Sequence, residues 1–292
     1  MANPNEIRQH ISAVEQTQKI TGAMEMVSSN RMRRVMGHIE QNIEYFSYIQ
    51  RTMKHLLTQS NDVSHPYLLP RKGNRITFIV IAGDKGLCGA YNASVLDLAL
   101  KRIQETPEHF LITAGNIAES FFHNKGMTPD ITLLSIAQDP TLMRSREFAR
   151  EVMKLFDSNV TDEVRIIYTS FYGETKNKPV ERRLLPIMRQ DYDEIPDEDL
   201  PSHYIEYFPS PQVVFDQLVP QYVIGILFGV MVQAYASEHF SRMNAMHSAT
   251  TNAQDMLKEL RTSYNLARQN AITNELAEIT GAAEILRKGD AS

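Results

Sequence analysis

The chain has 292 residues, which is enough for one large or two small domains with a substantial core. Its net charge of −5 gives no reason to expect a nucleic-acid partner. Cys88 is the only cysteine, which excludes an internal disulfide and fits a reducing compartment.

The N-terminal sequence carries the signals of a long helix. Asn3, Pro4 and Glu6 match a helix N-cap, a first-turn proline and the acid of a capping box. No further proline occurs before Pro66, and the apolar periodicity continues to about Leu57, which predicts a helix about 80 Å long. The predicted apolar stripe contains Ile7, Ile11 and Val14 and, after a phase slip, Ile20, Met24 and Val27.

The middle of the chain has a different pattern. Residues 61–74 contain prolines and a glycine and indicate a linker, after which short apolar runs alternate with helical segments. This alternation predicts an α/β domain with a small, partly parallel sheet, and the acidic residues 190–202 predict a solvated loop. In chain order the predicted elements are strand Arg75–Ala82, helix Ala93–Gln104, strand Phe110–Ala114, helices Asn116–His123 and Met143–Phe156, and strands Glu163–Ser170, Val180–Ile187 and Tyr204–Phe208.

A second long helix is predicted from Gln221 onward, because no proline follows that residue. The apolar run Tyr222–Val232 is too short for a membrane span, so we interpret it as a buried helix segment with close packing. Beyond it the stripe is narrow and poor in large residues, which suits one helix of a coiled coil. The predicted seam contains Leu257, Leu260, Tyr264, Ala267 and Ala271 and continues, after a small phase slip, with Ile272, Leu276, Ile279, Ala283 and Leu286.

Two long helices with narrow stripes at opposite ends of one chain most simply pair with each other in antiparallel fashion. A coiled coil between two copies of the chain is the alternative. The predicted fold is therefore α/β: a long antiparallel coiled coil of the N- and C-terminal helices with a central Rossmann-like α/β domain. We divide the chain into a first long helix (residues 1–60), the α/β domain (61–210) and a second long helix (211–292).

One stretch invites a ligand-binding interpretation. Gly83–Asn92 (GDKGLCGAYN) follows a buried strand and opens a helix, where nucleotide phosphates often bind. Its glycines are spaced GxxGxxG rather than GxGxxG, no acidic residue ends the second strand, and no Walker loop is present. A tight turn is the favoured interpretation and nucleotide binding the alternative. The histidines are scattered, so we predict no metal site. The sequence supports no Ser/His/Asp arrangement, and we predict no catalytic residue and no cofactor.

Four segments resemble the gamma subunit of bacterial F-type ATP synthases: Gln18–Arg34, Gly83–Asn92, Ala236–Leu257 and Ala267–Glu284. The resemblance implies a non-catalytic central rotor stalk. It would couple ion flow through the membrane ring of c subunits to ATP synthesis or hydrolysis in a head of alpha and beta subunits. It also implies contact with the epsilon subunit, no membrane span of its own, and a peripheral location on the cytoplasmic face of the bacterial cell membrane.

The same resemblance implies positions that contact the head. The family usually has a lysine where this chain has Gly22, so we hypothesise that Lys19, with Arg31 or Arg34, carries the contact with the acidic lever of beta. A solvated helix face is the other interpretation of the arginines. A coiled-coil scaffold protein with a nucleotide-binding α/β domain, or an α/β enzyme with helical extensions, remains the alternative function. The predicted contact residues are Lys19, Met24, Arg31, Arg34, Arg242, Arg268, Gln269, Thr273 and Glu275.

Overall fold

A computed structural model describes residues 4–59, 63–133, 140–171, 177–192 and 205–289. The chain forms two compact units, of which the first contains residues 1–27 and 243–292 and the second residues 28–242. Helix α1, Pro4–Gln59, and helix α5, Pro211–Gly289, contribute residues to both units. The predicted division into three parts at residues 60 and 210 stays a prediction.

The second unit contains a five-stranded sheet with the order β3-β2-β1-β4-β5. Its strands are β1 (Ile76–Ile81), β2 (His109–Ala114), β3 (Ile131–Leu133), β4 (Glu163–Ser170) and β5 (Lys178–Leu185). Strands β1 to β4 are parallel, and β5 runs antiparallel to β4. The connecting helices are α2 (Tyr91–Gln104), α3 (Asn116–Asn124) and α4 (Leu142–Asp157). The predicted α/β fold with a Rossmann-like centre is confirmed.

Alternate residues of β1 enter different apolar clusters, because successive side chains of a strand point to opposite faces. Phe78 and Val80 pack in a cluster that includes residues of α2 and α3. Ile79 and Ile81 belong to the larger cluster, which includes residues of α1, α4 and α5. The central strand is therefore covered on both faces, which accounts for its unbroken apolar sequence.

The apolar part of α5 packs in the larger cluster. By length and composition alone α5 is apolar enough to cross a membrane, and half of its most apolar window is buried inside the protein. Val223 and Leu227 are fully buried, and the ring of Phe46 lies where a side chain on Gly225 would begin. The interpretation of Tyr222–Val232 as a buried core segment is confirmed, with close packing at Gly225 but not at Gly229.

In the first unit α1 and α5 pair in antiparallel orientation, as predicted. Val14 packs with Ala253 and Leu257. The hydroxyl of Thr250 donates a hydrogen bond to that of Thr21 over 2.7 Å. These contacts lie within one chain and define the register of the coiled coil.

The predicted phase slip in α1 is wrong. Burial repeats every seven residues, at Ile7, Val14, Thr21, Ser28 and Val35, so the heptad continues through small polar side chains. Ile20 and Val27 are instead 60% and 52% exposed. Thr21 fits the seam because its hydroxyl donates to the carbonyl oxygen of Gln18 and accepts from Thr250.

The α5 seam is confirmed only in its first half. Leu257 is buried, and Leu260, Tyr264, Ala267 and Ala271 are half-buried. Ile272, Leu276 and Ile279 are 45%, 58% and 65% exposed. Glu15 pairs with Arg261. Because the helices are antiparallel, Pro4, eleven residues before Glu15, lies opposite about residue 272, eleven residues after Arg261. Helix α1 begins at Pro4, so α5 has no partner helix beyond this point. The side chains of Ala283 and Leu286 lie outside the described part.

The predicted elements need correction at four places. The short strand β3 was not predicted. Helix α5 begins at Pro211, the first residue of the predicted third part, rather than at Gln221, and it runs through Pro220, where Val219 and Val223 on either side are fully buried. Residues 205–208 form no strand, and Tyr204 lies outside the described residues. The predicted acidic loop begins within a short helix at Arg189–Tyr192, and residues 193–202 also lie outside the described part.

The heptad register predicts a specific disulfide. In a Cys88→Ser background, Thr21→Cys with Thr250→Cys should form an intrachain disulfide under mild oxidation, because the native hydroxyls are 2.7 Å apart. Non-reducing electrophoresis measures the rate. Ile20→Cys with Thr250→Cys is the matched control and should react far more slowly, since Ile20 faces solvent. Faster reaction of the control pair would contradict the register.

Candidate functional site

The turn after β1 lies directly against α5. The Gly83 amide donates a hydrogen bond to Oδ1 of Asn92 over 2.8 Å. A Cβ on Gly83 would lie 3.1 Å from the carboxyl carbon of Glu238. A glycine therefore lets the turn approach the helix this closely.

Arg242 fixes this turn to α5. Its Nη2 lies 2.7 Å from Oε1 of Glu238 and donates to the carbonyl oxygen of Lys85 over 3.1 Å, and its Nε donates to the carbonyl oxygen of Gly86 over 3.3 Å. Both charged residues are 7% exposed. The guanidinium thus donates to one carboxylate and two carbonyl oxygens. A buried charge needs such partners to offset the cost of removing it from water.

The segment of α5 from residue 234 to 242 fills the crevice in which other proteins with open α/β sheets bind their ligands. That crevice lies at the carboxyl ends of the strands where the strand order reverses, here between β1 and β4. The Tyr91 hydroxyl donates to the carbonyl oxygen of Ala234 over 3.1 Å, and the Ser237 hydroxyl donates to that of Thr169 over 3.2 Å. Packing against α5 thus accounts for the glycine-rich turn, as the tight-turn interpretation requires.

Burial shifts the ionisable groups of this cluster. It raises the pKa of Glu238, and Arg242 opposes that rise. Burial, with the charges of Arg242 and Arg31, lowers the pKa of His239 from 6.5 to about 3. The imidazole is therefore neutral at physiological pH, and its Nδ1 accepts from Arg242 over 3.4 Å. Burial also raises the pKa of the Cys88 thiol, which disfavours the reactive thiolate.

The predicted contact residues on α1 are mostly accessible. In the first unit Lys19 is exposed and Met24 is half-buried, and a side chain on Gly22 would meet open space. In the second unit Arg31 and Arg34 are exposed. Three apolar residues beside Lys19 and Met24 are exposed although they were not predicted to be, and the unbroken heptad is the signal that places them outside the seam: Ile20, Met26 and Val27.

The predicted residues on α5 fall into two groups. Arg268, Gln269, Thr273 and Glu275 are exposed near the point where the partner helix ends. Arg242 is buried and makes the intrachain contacts given above. The structure therefore brings Arg242 together with the turn after β1.

A further exposed position lies in that turn. Leu87 is 63% exposed and has a φ of 61°, a conformation that is costly for a leucine. Among the described residues no group of three His, Cys, Asp or Glu side chains could hold a metal ion.

Comparison with known proteins gives full-length matches. Residues 3–286 match the family described as ATP synthase. The ATP synthase gamma chain of Heliobacterium modesticaldum is 34% identical over 289 residues, covering 98% of this chain and 100% of that protein. The gamma chain of Acetivibrio thermocellus is 32% identical over 295 residues, covering 98% and 100%.

Solved structures share the fold at lower identity. A chain of the Euglena gracilis mitochondrial ATP synthase (OSCP/F1/c-ring, rotational state 3) matches with a TM-score of 0.68 and 17% identity, covering 99% of this chain and 96% of that one. A chain of the Tetrahymena thermophila mitochondrial ATP synthase central stalk/c-ring matches with a TM-score of 0.56 and 21% identity, covering 79% and 99%.

The depressed pKa of His239 predicts a pH-dependent stability. Between pH 6.5 and about 3 the His239 imidazole binds a proton in the unfolded chain but not in the folded chain. The stability that the neutral His239 contributes is therefore lost as the pH falls through this range. From pH 6 to 4 the free energy of unfolding should fall by about 1 kcal/mol per pH unit more in the wild type than in His239→Gln. Urea denaturation of the full chain measures it. His123→Gln, at an exposed position on α3, is the matched control, and identical slopes for wild type and His239→Gln would contradict the assignment.

Proposed function

Because the chain belongs to the family of ATP synthase gamma chains, it is a central rotor stalk subunit, and we propose that it works without contributing a catalytic residue. By rotation it couples ion flow through the membrane ring to ATP synthesis or hydrolysis in the catalytic head. It is part of a membrane-associated complex. We place it, as a further part of the proposal, on the cytoplasmic face of a bacterial cell membrane.

The antiparallel coiled coil of the first unit is the observation that best supports this function. Two wound helices joined by a narrow seam are stiff, and they leave most of their circumference free to face a surrounding sleeve. The seam joins two parts of one chain, so the coiled coil exists without a second copy. This disfavours the alternative of a self-associating scaffold protein.

The end of α5 supports contacts with the alpha and beta subunits. Beyond the pairing with α1 it exposes the apolar side chains of Ile272, Leu276 and Ile279. Apolar side chains that are exposed on an unpaired stretch of helix indicate a surface that another protein covers. We propose that the head covers them and that the polar residues nearby make contacts that release at each step: Arg268, Gln269, Thr273 and Glu275.

The α1 residues support contacts with an acidic surface of beta. Lys19, Arg31 and Arg34 are exposed, and Met24 is half-buried. We propose that these residues meet the beta lever. We leave Arg242 out of the direct contacts because it is buried and bound within the chain.

The remaining partners are proposed for the second unit. We infer that it meets the epsilon subunit and the ring of c subunits. Phe208 in this unit is 93% exposed, which supports a role for its side chain as an apolar contact with another subunit. Its neighbour Tyr207 is anchored by a 2.6 Å hydrogen bond to Nδ1 of the buried His55, so the backbone that presents Phe208 is held in place.

The non-catalytic role has a direct test. The purified full chain should release no phosphate from Mg-ATP above the rate in buffer, because the residues at the carboxyl ends of its strands pack against α5. The same preparation, assembled with alpha and beta subunits, should support hydrolysis by the head. Turnover by the isolated chain at a rate comparable to that of the assembled head would contradict the proposal.

The proposed lever contact predicts a graded loss of coupling. Arg31→Gln with Arg34→Gln should reduce ATP-driven ion pumping more than either single change, since each exposed charge pair is worth about 0–1 kcal/mol. Pumping by vesicles at low salt measures this, because salt screens exposed pairs. Arg150→Gln with Lys154→Gln removes two exposed charges from α4 and is the matched control. An assembled double variant that pumps like wild type at low salt would exclude the contact.

A further inference from the structure

A groove in the second unit is lined by residues that are not among those named in the contacts proposed above. It has a volume of about 420 Å³ and is formed by residues of α1, α4, β5 and α5. The floor is the stretch of α5 that contains Gly225 and Gly229. Phe46 packs on Gly225, whereas a Cβ on Gly229 would meet no atom within 4 Å. The groove is therefore open where Gly229 lacks a side chain.

The lining combines apolar surface with positive charge. Phe46, Ile224 and Phe228 contribute apolar surface, and Tyr45 and Leu142, which are 55% and 40% exposed, also line the groove. Among its described lining residues the charged ones are Arg146 and Arg182, and none is acidic. An apolar body with a single negative group complements such a lining, because guanidinium groups pair strongly with carboxylates.

The dimensions favour a small ligand over a protein surface. Pockets for small molecules measure about 300–1,000 Å³ and combine apolar walls with a few placed polar groups, as here. A stable protein interface buries about 800 Å² on each partner, and most of that area would lie outside this concavity. Enclosure by four elements also suits a ligand that enters the groove rather than one that covers it.

We propose that this groove binds an anionic amphiphile, namely a carboxylate on a flexible hydrocarbon chain such as a fatty acid. The hydrocarbon lies along α5 over Gly229, and the carboxylate pairs with Arg146 and Arg182. The proposal goes beyond the rotor function and does not depend on it. It assigns the chain a ligand site separate from the exposed residues proposed to contact the head.

Calorimetric titration of the full chain with dodecanoate, below its micellar concentration, tests the site. We expect saturable binding of one dodecanoate per chain, weakened by up to about fourfold for each methylene removed in shorter homologues. Gly229→Leu should weaken binding at least about tenfold by filling the groove. Gly37→Leu is the matched control, since Gly37 is also helical with open space beside it, and it should bind like wild type.

The charge requirement is tested separately. Arg146→Gln should weaken dodecanoate binding by about tenfold and leave the binding of neutral dodecanol unchanged. Equal affinities of wild type and Gly229→Leu, with circular dichroism showing both folded, would overturn the proposal. The titration is then repeated with the complete complex purified from membranes. Binding there with the same dependence on Gly229 supports the site, and its absence would overturn it by assigning the groove to a subunit interface.

Discussion

The second unit depends on how α5 packs against the carboxyl ends of its parallel strands. An open α/β sheet leaves a crevice at that edge, and in many proteins a ligand fills it. Here the chain fills it with its own helix, through the Tyr91 hydroxyl, the Ser237 hydroxyl and the buried pair of Glu238 with Arg242. The helix that extends into the coiled coil is thereby joined to the sheet by directional hydrogen bonds as well as by apolar packing. Within the second unit, residues 234–242 of α5 are therefore fixed to the sheet and to the turn after β1.

The coiled coil shows a different balance of forces. Its seam keeps a heptad register although Thr21 and Ser28 occupy positions where large apolar residues would stabilise it more. The geometry of two supercoiled helices determines which positions face inward, and a threonine is tolerated there once its hydroxyl is satisfied. Apolar residues such as Ile20 and Val27 are consequently available on the outside. A stalk that must contact other subunits gains accessible apolar surface in this way.

The sequence predicted the elements that carry a strong local signal. The apolar run of β1 and the helix signals of α1 led to bounds within two residues of those observed. The predicted N-cap, Asn3, lies outside the described residues. Strand β3 was missed because its three residues are fewer than the runs of about four to eight residues that indicate a strand. Arg242 was expected to contact the head because the resemblance of its segment to gamma subunits implied a contact there. Its acceptors, the carbonyls of Lys85 and Gly86, lie 157 and 156 residues away, and only tertiary packing brings them together.

A rotor must hold its own parts together more strongly than it holds its neighbours. Breaking a buried ion pair such as Glu238 with Arg242 costs about 3–5 kcal/mol, whereas an exposed pair is worth about 0–1 kcal/mol. The described residues follow this order: the charges that join α5 to the turn after β1 are buried, while Lys19, Arg31 and Arg268 face solvent. Weak external contacts can break and re-form at every step without disturbing the internal ones. The difference in burial thus separates the residues that maintain the stalk from those that remain accessible to other subunits.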